Sequence, residues 1–203
     1  PYGVAFDGNN IWVTTIDTDE VSKIDPITNT ITVITVGHMP TAITYADNYV
    51  WVANAVSNTV SKINPVSNTI IATIPTGTSP TAIAFDGTNI WVANYGSDSL
   101  MKIRPLDNSV IATVNVGDQP VGLSFDGTNM WVSNSASNTL SRIDILRNVE
   151  TATVPVGTMP IDIEFDGGHL WVAHYGDNTV SQISTMTSEV TATIATGIGP
   201  TTI

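Results

Sequence analysis

Apolar and polar positions alternate along this chain in short runs, and each run is bounded by turn residues. One stretch shows the pattern: Thr81 to Phe85, Ile90 to Asn94, Leu100 to Ile103 and Val110 to Val116. Val, Ile, Thr, Trp and Phe dominate these runs, and each has the length of a half-buried strand. Asp-Gly pairs at Asp7-Gly8, Asp86-Gly87, Asp126-Gly127 and Asp166-Gly167 supply the turn between the first and second runs. Glycine reaches positive φ cheaply and aspartate bonds its own backbone, so the pair predicts a tight hairpin. One copy has Ala46-Asp47-Asn48 instead, and Asn adopts the same conformation. No segment sustains a 3.6-residue period, which excludes a helical solenoid.

The runs recur. Trp12, Trp51, Trp91, Trp131 and Trp171 stand 39, 40, 40 and 40 residues apart, and Pro1, Pro40, Pro80, Pro120, Pro160 and Pro200 mark one phase. Four short strands per unit of about 40 residues is the signature of a propeller blade. The prediction is an all-β propeller of five four-stranded blades in a single domain over 1–203: 1–39, 40–79, 80–119, 120–159 and 160–199, with 200–203 repeating the phase of 1–4. Pro75 and Pro155 make the fourth strand an edge strand. The Trp column is expected in the core between blades. Pro26 to Gly37 is one residue shorter than Pro65 to Gly77, which predicts a bulge or shifted register near Thr32 to Thr35. The expectation for the ends is a closed five-blade ring, with Val4 or Ile203 seated but not both; the alternative is a piece of a larger propeller.

The motif Ile90-Trp-Val-Ala-Asn-Tyr-Gly-Ser97, with a following Lys-Ile-x-Pro turn, resembles the YVTN-type bacterial β-propeller repeat. It is also similar to the repeat of the virginiamycin B lyase-like propellers. The resemblance spans the whole chain and implies the propeller fold. That superfamily includes surface-layer proteins, periplasmic binders and a few enzymes. In the lyases, His and Glu near the top centre open a lactone ring by elimination.

In a propeller the fourth-to-first connections and the second-to-third loops share one face, here the top. The connections read Gly37-His-Met-Pro, Gly77-Thr-Ser-Pro, Gly117-Asp-Gln-Pro, Gly157-Thr-Met-Pro and Gly197-Ile-Gly-Pro, a fixed frame with varied middle residues. Loops on a rigid scaffold carry function. The expected ligand-contacting residues are His38, Met39, Tyr95, Asp118, His174 and Tyr175, which can stack and orient a polar ligand. Thr15, Asn54, Asn94, Asn134 and His174 form one column after the Trp, expected to bond nearby backbone. His38 and His174 are the candidate catalytic pair. Asp17, Asp19 and Glu20 form the densest acidic loop and are the candidate oxygen ligands for a cation, without the spacing of an EF-hand. Lys23, Lys62, Lys102 and Arg142 form a basic column read as a structural edge ladder, with stems on apolar surface and heads in water.

Composition narrows the function. The 203 residues carry a net charge of -12 and no cysteine, which excludes thiolate metal sites and a disulfide scaffold. Six Lys+Arg against eighteen Asp+Glu argue against nucleic acid and anionic membrane as partners. No apolar run reaches the roughly 18–20 residues of a membrane span, so no membrane insertion is expected. The chain begins at Pro1 without a leader, as expected of a mature or trimmed piece. The reading is a non-enzymatic, extracellular or periplasmic binding or scaffold module of bacterial type. It has no cofactor, and its partner is an unidentified ligand, protein or glycan at the top face. A lyase-like enzyme and a structural surface-layer repeat are the rivals.

Overall fold

The computed structural model describes residues 1–203. Twenty strands in chain order form five antiparallel four-stranded sheets, each a meander of consecutive strands. The first sheet holds β1 (Val4–Phe6), β2 (Ile11–Thr15), β3 (Glu20–Ile24) and β4 (Ile31–Thr35). The second holds β5 (Pro40–Ala46), β6 (Tyr49–Asn54), β7 (Thr59–Asn64) and β8 (Thr69–Pro75). The third holds β9 (Pro80–Phe85), β10 (Ile90–Asn94), β11 (Ser99–Arg104) and β12 (Ser109–Asn115). The fourth holds β13 (Pro120–Phe125), β14 (Asn129–Asn134), β15 (Thr139–Asp144) and β16 (Val149–Pro155). The fifth holds β17 (Pro160–Phe165), β18 (His169–His174), β19 (Thr179–Ser184) and β20 (Glu189–Ala195). These sheets are the blades of a five-bladed propeller fold. The one helical element is a 3-10 turn at Ile16–Thr18.

The chain divides into two compact units. The first, Pro1–Ser97 with Met101–Ile111, contains the first two blades and most of the third. The second, Asp98–Leu100 with Ala112–Ile203, contains the remainder. In the first unit Trp12, Val21 and Ile34 of one blade pack on Val50, Val52 and Ile63 of the next. Trp51, Val60 and Ile74 meet Ile90, Val92 and Ile103 in the same way. In the second unit Trp131, Leu140 and Val154 pack on Ile163, Leu170, Val172 and Ile183. A strand is pleated, so alternate residues serve opposite faces of its blade. Trp12, Trp51, Trp91 and Trp131 are fully buried, as expected of core residues. Trp171 is only half-buried.

The Asp-Gly turns show why the sequence needs that pair. Asp7 Oδ1 accepts the backbone N–H of Asn9 and of Asn10, Gly8 sits at φ 95, and Asp7 Oδ2 accepts Trp12 Nε1 at 2.7 Å. The turn thus positions the core indole. Asp86, Asp126 and Asp166 repeat the bond to Trp91, Trp131 and Trp171. In the second blade the variant turn places Asp47 and Asn48 at positive φ, and Trp51 Nε1 donates to the carbonyl of Ala46.

Two expectations for the first blade are corrected. The β3–β4 ladder runs in unbroken register from Glu20↔Thr35 to Ile24↔Ile31. The irregularity lies in the longer copies, where β7–β8 shifts at Lys62/Ile63, β15–β16 at Arg142/Ile143 and β19–β20 at Gln182/Ile183. The extra residue is a bulge on an edge strand, and the first blade simply lacks it. Neither Val4, 65% exposed, nor Ile203, 47% exposed, is seated. The lysine column is corrected too. Lys62 is buried, and its ammonium lies 4.1 Å from the Tyr49 ring centre and donates to Pro105 O at 2.7 Å. Lys23 reaches Pro65 O at 2.6 Å in the same way. The heads clamp the next blade rather than reaching water.

Candidate functional site

The Gly-x-x-Pro loops owe their fixed shape to side chains on both sides. In the first unit Met39 N donates to Asp19 Oδ1 and His38 N to Ser57 Oγ. Ser79 N donates to Asn58 Oδ1 and Thr78 N to Ser97 Oγ. In the second unit Asp118 N and Gln119 N bond Ser137 Oγ and Asp98 Oδ1, and Thr158 N and Met159 N bond Asp177 Oδ2 and Asn138 Oδ1. The third loop residue takes positive φ in every copy: Met39, Ser79, Gln119, Met159 and Gly199. The opening glycine is required as well. A Cβ on Gly37 would lie 2.8 Å from Asn54 Cβ, and one on Gly117 would lie 2.8 Å from Asn134 Cγ. Backbone is thereby fixed while the two middle side chains are free to differ.

Of the expected ligand-contacting residues, His38, Met39, Asp118 and Tyr175 are exposed and Tyr95 is half-buried. His38 Nδ1 pairs with Asp19 Oδ2 at 2.6 Å, an exposed pair. The N–H of Met39, then the histidine, hold the Asp19 carboxyl below its ordinary range. Tyr95 N–H donates to Ser79 O of the adjoining Gly-x-x-Pro connection.

His174 departs from expectation. It is fully buried, with Nε2 2.9 Å from Ser181 Oγ. Asn54 and Asn134 make the same bond through Nδ2 to Ser61 and Ser141 at 3.0 Å. Their Oδ1 atoms and His174 Nδ1 are all buried acceptor positions without a partner. A neutral imidazole carrying its proton on Nε2 reproduces the donor and acceptor pattern of asparagine. Gly157 lies against the ring, since a Cβ there would stand 2.7 Å from His174 Cγ. Burial lowers the His174 pKa, opposed by the charge of Asp177. His174 thus fills the asparagine position as a buried, hydrogen-bonded side chain, not as an exposed one.

In the acidic loop Asp19 is engaged. Asp19 spends both oxygens on Met39 and His38, and no group of three His, Asp or Glu side chains converges to hold a metal. Asp17 is exposed, and Glu20 begins β3 opposite Thr35. The described clefts lie on the opposite face, at the β1–β2 and β3–β4 type turns.

Known proteins share this architecture. The structure of a streptogramin B lyase matches with a TM-score of 0.84 at 18% identity, covering 97% of this chain and 68% of that one. A functionally unknown protein from Desulfotomaculum acetoxidans matches with a TM-score of 0.85 at 19% identity, covering 96% and 68%. The hydrazine synthase of Kuenenia stuttgartiensis matches with a TM-score of 0.70 at 16% identity, covering 100% and 88%. At such identities the likeness is one of fold. No curated protein matches the sequence. The YNCE-like β-propeller family matches residues 27–198, nearly the whole repeat array, and the chain belongs to that family.

Proposed function

We propose that this protein is a non-enzymatic, extracytoplasmic binding module whose Gly-x-x-Pro loops present ligand-contacting side chains. One observation carries the reading: the loop backbones are held by side-chain acceptors from both flanking blades while the presented residues differ, His38-Met39, Thr78-Ser79, Asp118-Gln119, Thr158-Met159. Clamping removes backbone entropy before a ligand arrives, so a contact made there costs less to form. His38, Met39 and Tyr175 supply exposed aromatic, thioether and imidazole surface.

The test is a screen of glycans and peptides against the protein, followed by His38→Ala, Met39→Ala and Tyr175→Ala. Weakened binding of a hit at an unchanged melting temperature supports the reading. Undiminished affinity in all three variants removes the loops from consideration. Opening of a streptogramin B by the protein, at a rate sensitive to His38→Ala, would replace the binding role with an enzymatic one.

A further inference from the structure

The turns on the other face present an apolar residue at one position in every blade. They read Asp25-Pro-Ile27, Asn64-Pro-Val66, Arg104-Pro-Leu106, Asp144-Ile-Leu146 and Ser184-Thr-Met186. The turn shape is made by other atoms. Asp25 Oδ1 accepts Ile27 N and Thr28 N, Asn64 Oδ1 accepts Val66 N and Ser67 N, and Asp144 Oδ1 accepts Leu146 N and Arg147 N. Asn29, Asn68, Asn108, Asn148 and Ser188 close the turns at positive φ. The third side chain contributes nothing to this, and all five are 89–90% exposed. Turn chemistry favours polar residues there. A single exposed hydrophobe is ordinary, but five at one register position of a repeat are not explained by the fold.

Each of these tips that borders a cleft faces an acid. In the first unit Val66 rims a cleft of about 380 Å³ with Asp7, Asn9, Tyr45 and Pro65. Leu106 rims one of about 440 Å³ with Asp47, Phe85, Thr88, Arg104 and Pro105. In the second unit Met186 rims one of about 250 Å³ with Asp126 and Arg142. The cations near these turns are engaged. Lys23 and Lys62 donate to Pro65 O and Pro105 O, Arg142 to Ser188 Oγ, and Arg104 and Arg147 pair with Asp107 and Asp144. Asp47 is the exception among the acids. Trp51 donates to Ala46 O instead, so the Asp47 carboxylate takes no indole hydrogen bond; its charge acts on nearby Lys62, and it stands exposed at the widest of these clefts.

We infer that the turns of the first unit form a docking surface for a cationic polypeptide segment bearing apolar side chains, seated chiefly on Asp47, Val66 and Leu106. A Lys or Arg stem lies on Phe85, Pro105 and Leu106 while its head meets Asp47. Neighbouring apolar residues of the segment cover Val66. A second copy of this chain would bring another charge of -12 and the same acidic turns, and an anionic bilayer would be repelled. This surface is separate from the Gly-x-x-Pro loops and stands or falls independently of them.

The experiment measures fluorescence anisotropy of a labelled peptide of alternating Leu and Lys, with Ser-Lys and Leu-Glu peptides as controls. The expected result is saturable binding of the Leu-Lys peptide and none of Leu-Glu. Val66→Ser with Leu106→Ser, and separately Asp47→Asn, should each weaken binding about tenfold. Melting curves of these exposed-site variants should match the parent. Leu106→Ile should retain binding. Unchanged affinity in the variants overturns the inference, as does Ser-Lys binding equal to Leu-Lys, which would be charge attraction alone. Absence of binding overturns it too. Sedimentation showing self-association that Val66→Ser with Leu106→Ser abolishes would assign the surface to a second copy instead.

Discussion

Lys62 Nζ stands 2.7 Å from the carbonyl oxygen of Pro105, forty-three residues further along the chain, and this bond joins the second blade to the third. The same ammonium reaches Asn108 Oδ1 and lies over Tyr49 and Trp51. Burial lowers its pKa, opposed by the charge of Asp47. The charge is therefore held in place by directed acceptors and aromatic faces.

Lys62→Met keeps the aliphatic stem and removes the donor, leaving Pro105 O without its lysine partner. Hydrogen bonds to a charged group contribute about 1.5–3 kcal/mol, so a loss of roughly 2 kcal/mol is expected in urea unfolding. A change below about 0.5 kcal/mol would mean that the stem alone holds the blades. The fifth blade has Gln182 at this position, where its Oε1 accepts Thr191 Oγ1 within the blade.

His174→Asn should be tolerated and should flatten the pH profile of stability. Burial depresses the folded-state pKa of His174 below the 6.5 of the free side chain. The unfolded chain therefore takes up the proton first, and stability falls as pH drops below about 6.5. Above that pH neither state is charged and nothing is lost. Thermal melts at neutral and mildly acidic pH should show a drop in the parent that is smaller in His174→Asn. Equal drops in both would place the pH sensitivity elsewhere.

Strand number, sheet order and the Trp core were legible because a 40-residue period with alternating apolar positions leaves few solutions. The Gly-x-x-Pro frame was legible as a pattern, though its cause, the paired acceptors Asp19 and Ser57 or Asn58 and Ser97, lies in loops distant in sequence. The length difference around Thr32 was visible, but a count alone does not say which copy carries the bulge. His174 read as a surface histidine because its column was known and its burial was not. The Lys62 head read as solvated because Pro105 O is distant in sequence.

Asp86→Ala and Asp47→Ala should differ although both acids occupy equivalent turns. Asp86 accepts Thr88 N, Asn89 N and Trp91 Nε1, the last at 2.7 Å. Removing it strands the buried indole donor and opens the turn, a cost on the order of 2–3 kcal/mol. Asp47 holds no such bonds, so Asp47→Ala should change stability by less than about 0.5 kcal/mol. Urea midpoints of the two variants decide the matter, and equal losses would show that the Trp51 to Ala46 bond depends on Asp47.

Truncation along the fourth-strand column should separate covered from uncovered blade faces. Ile74 is 4% exposed and packs within the cluster of Trp51, Val60 and Ile90, whereas Ile194 at the matching register is 47% exposed. The two residues face their partner strands identically, Ile74 opposite Val60 and Ile194 opposite Val180. Strand pairing is thus equal, and only the packing beyond the sheet differs. A buried Ile→Ala change removes transfer energy and leaves a cavity, about 2–5 kcal/mol, so Ile74→Ala should fall in that range. Ile194→Ala should cost under about 1 kcal/mol, since much of that side chain already meets solvent. A large loss at Ile194, measured by urea unfolding at several protein concentrations, would show that its face is covered in solution, and a concentration-dependent midpoint would identify the cover as another copy of the chain.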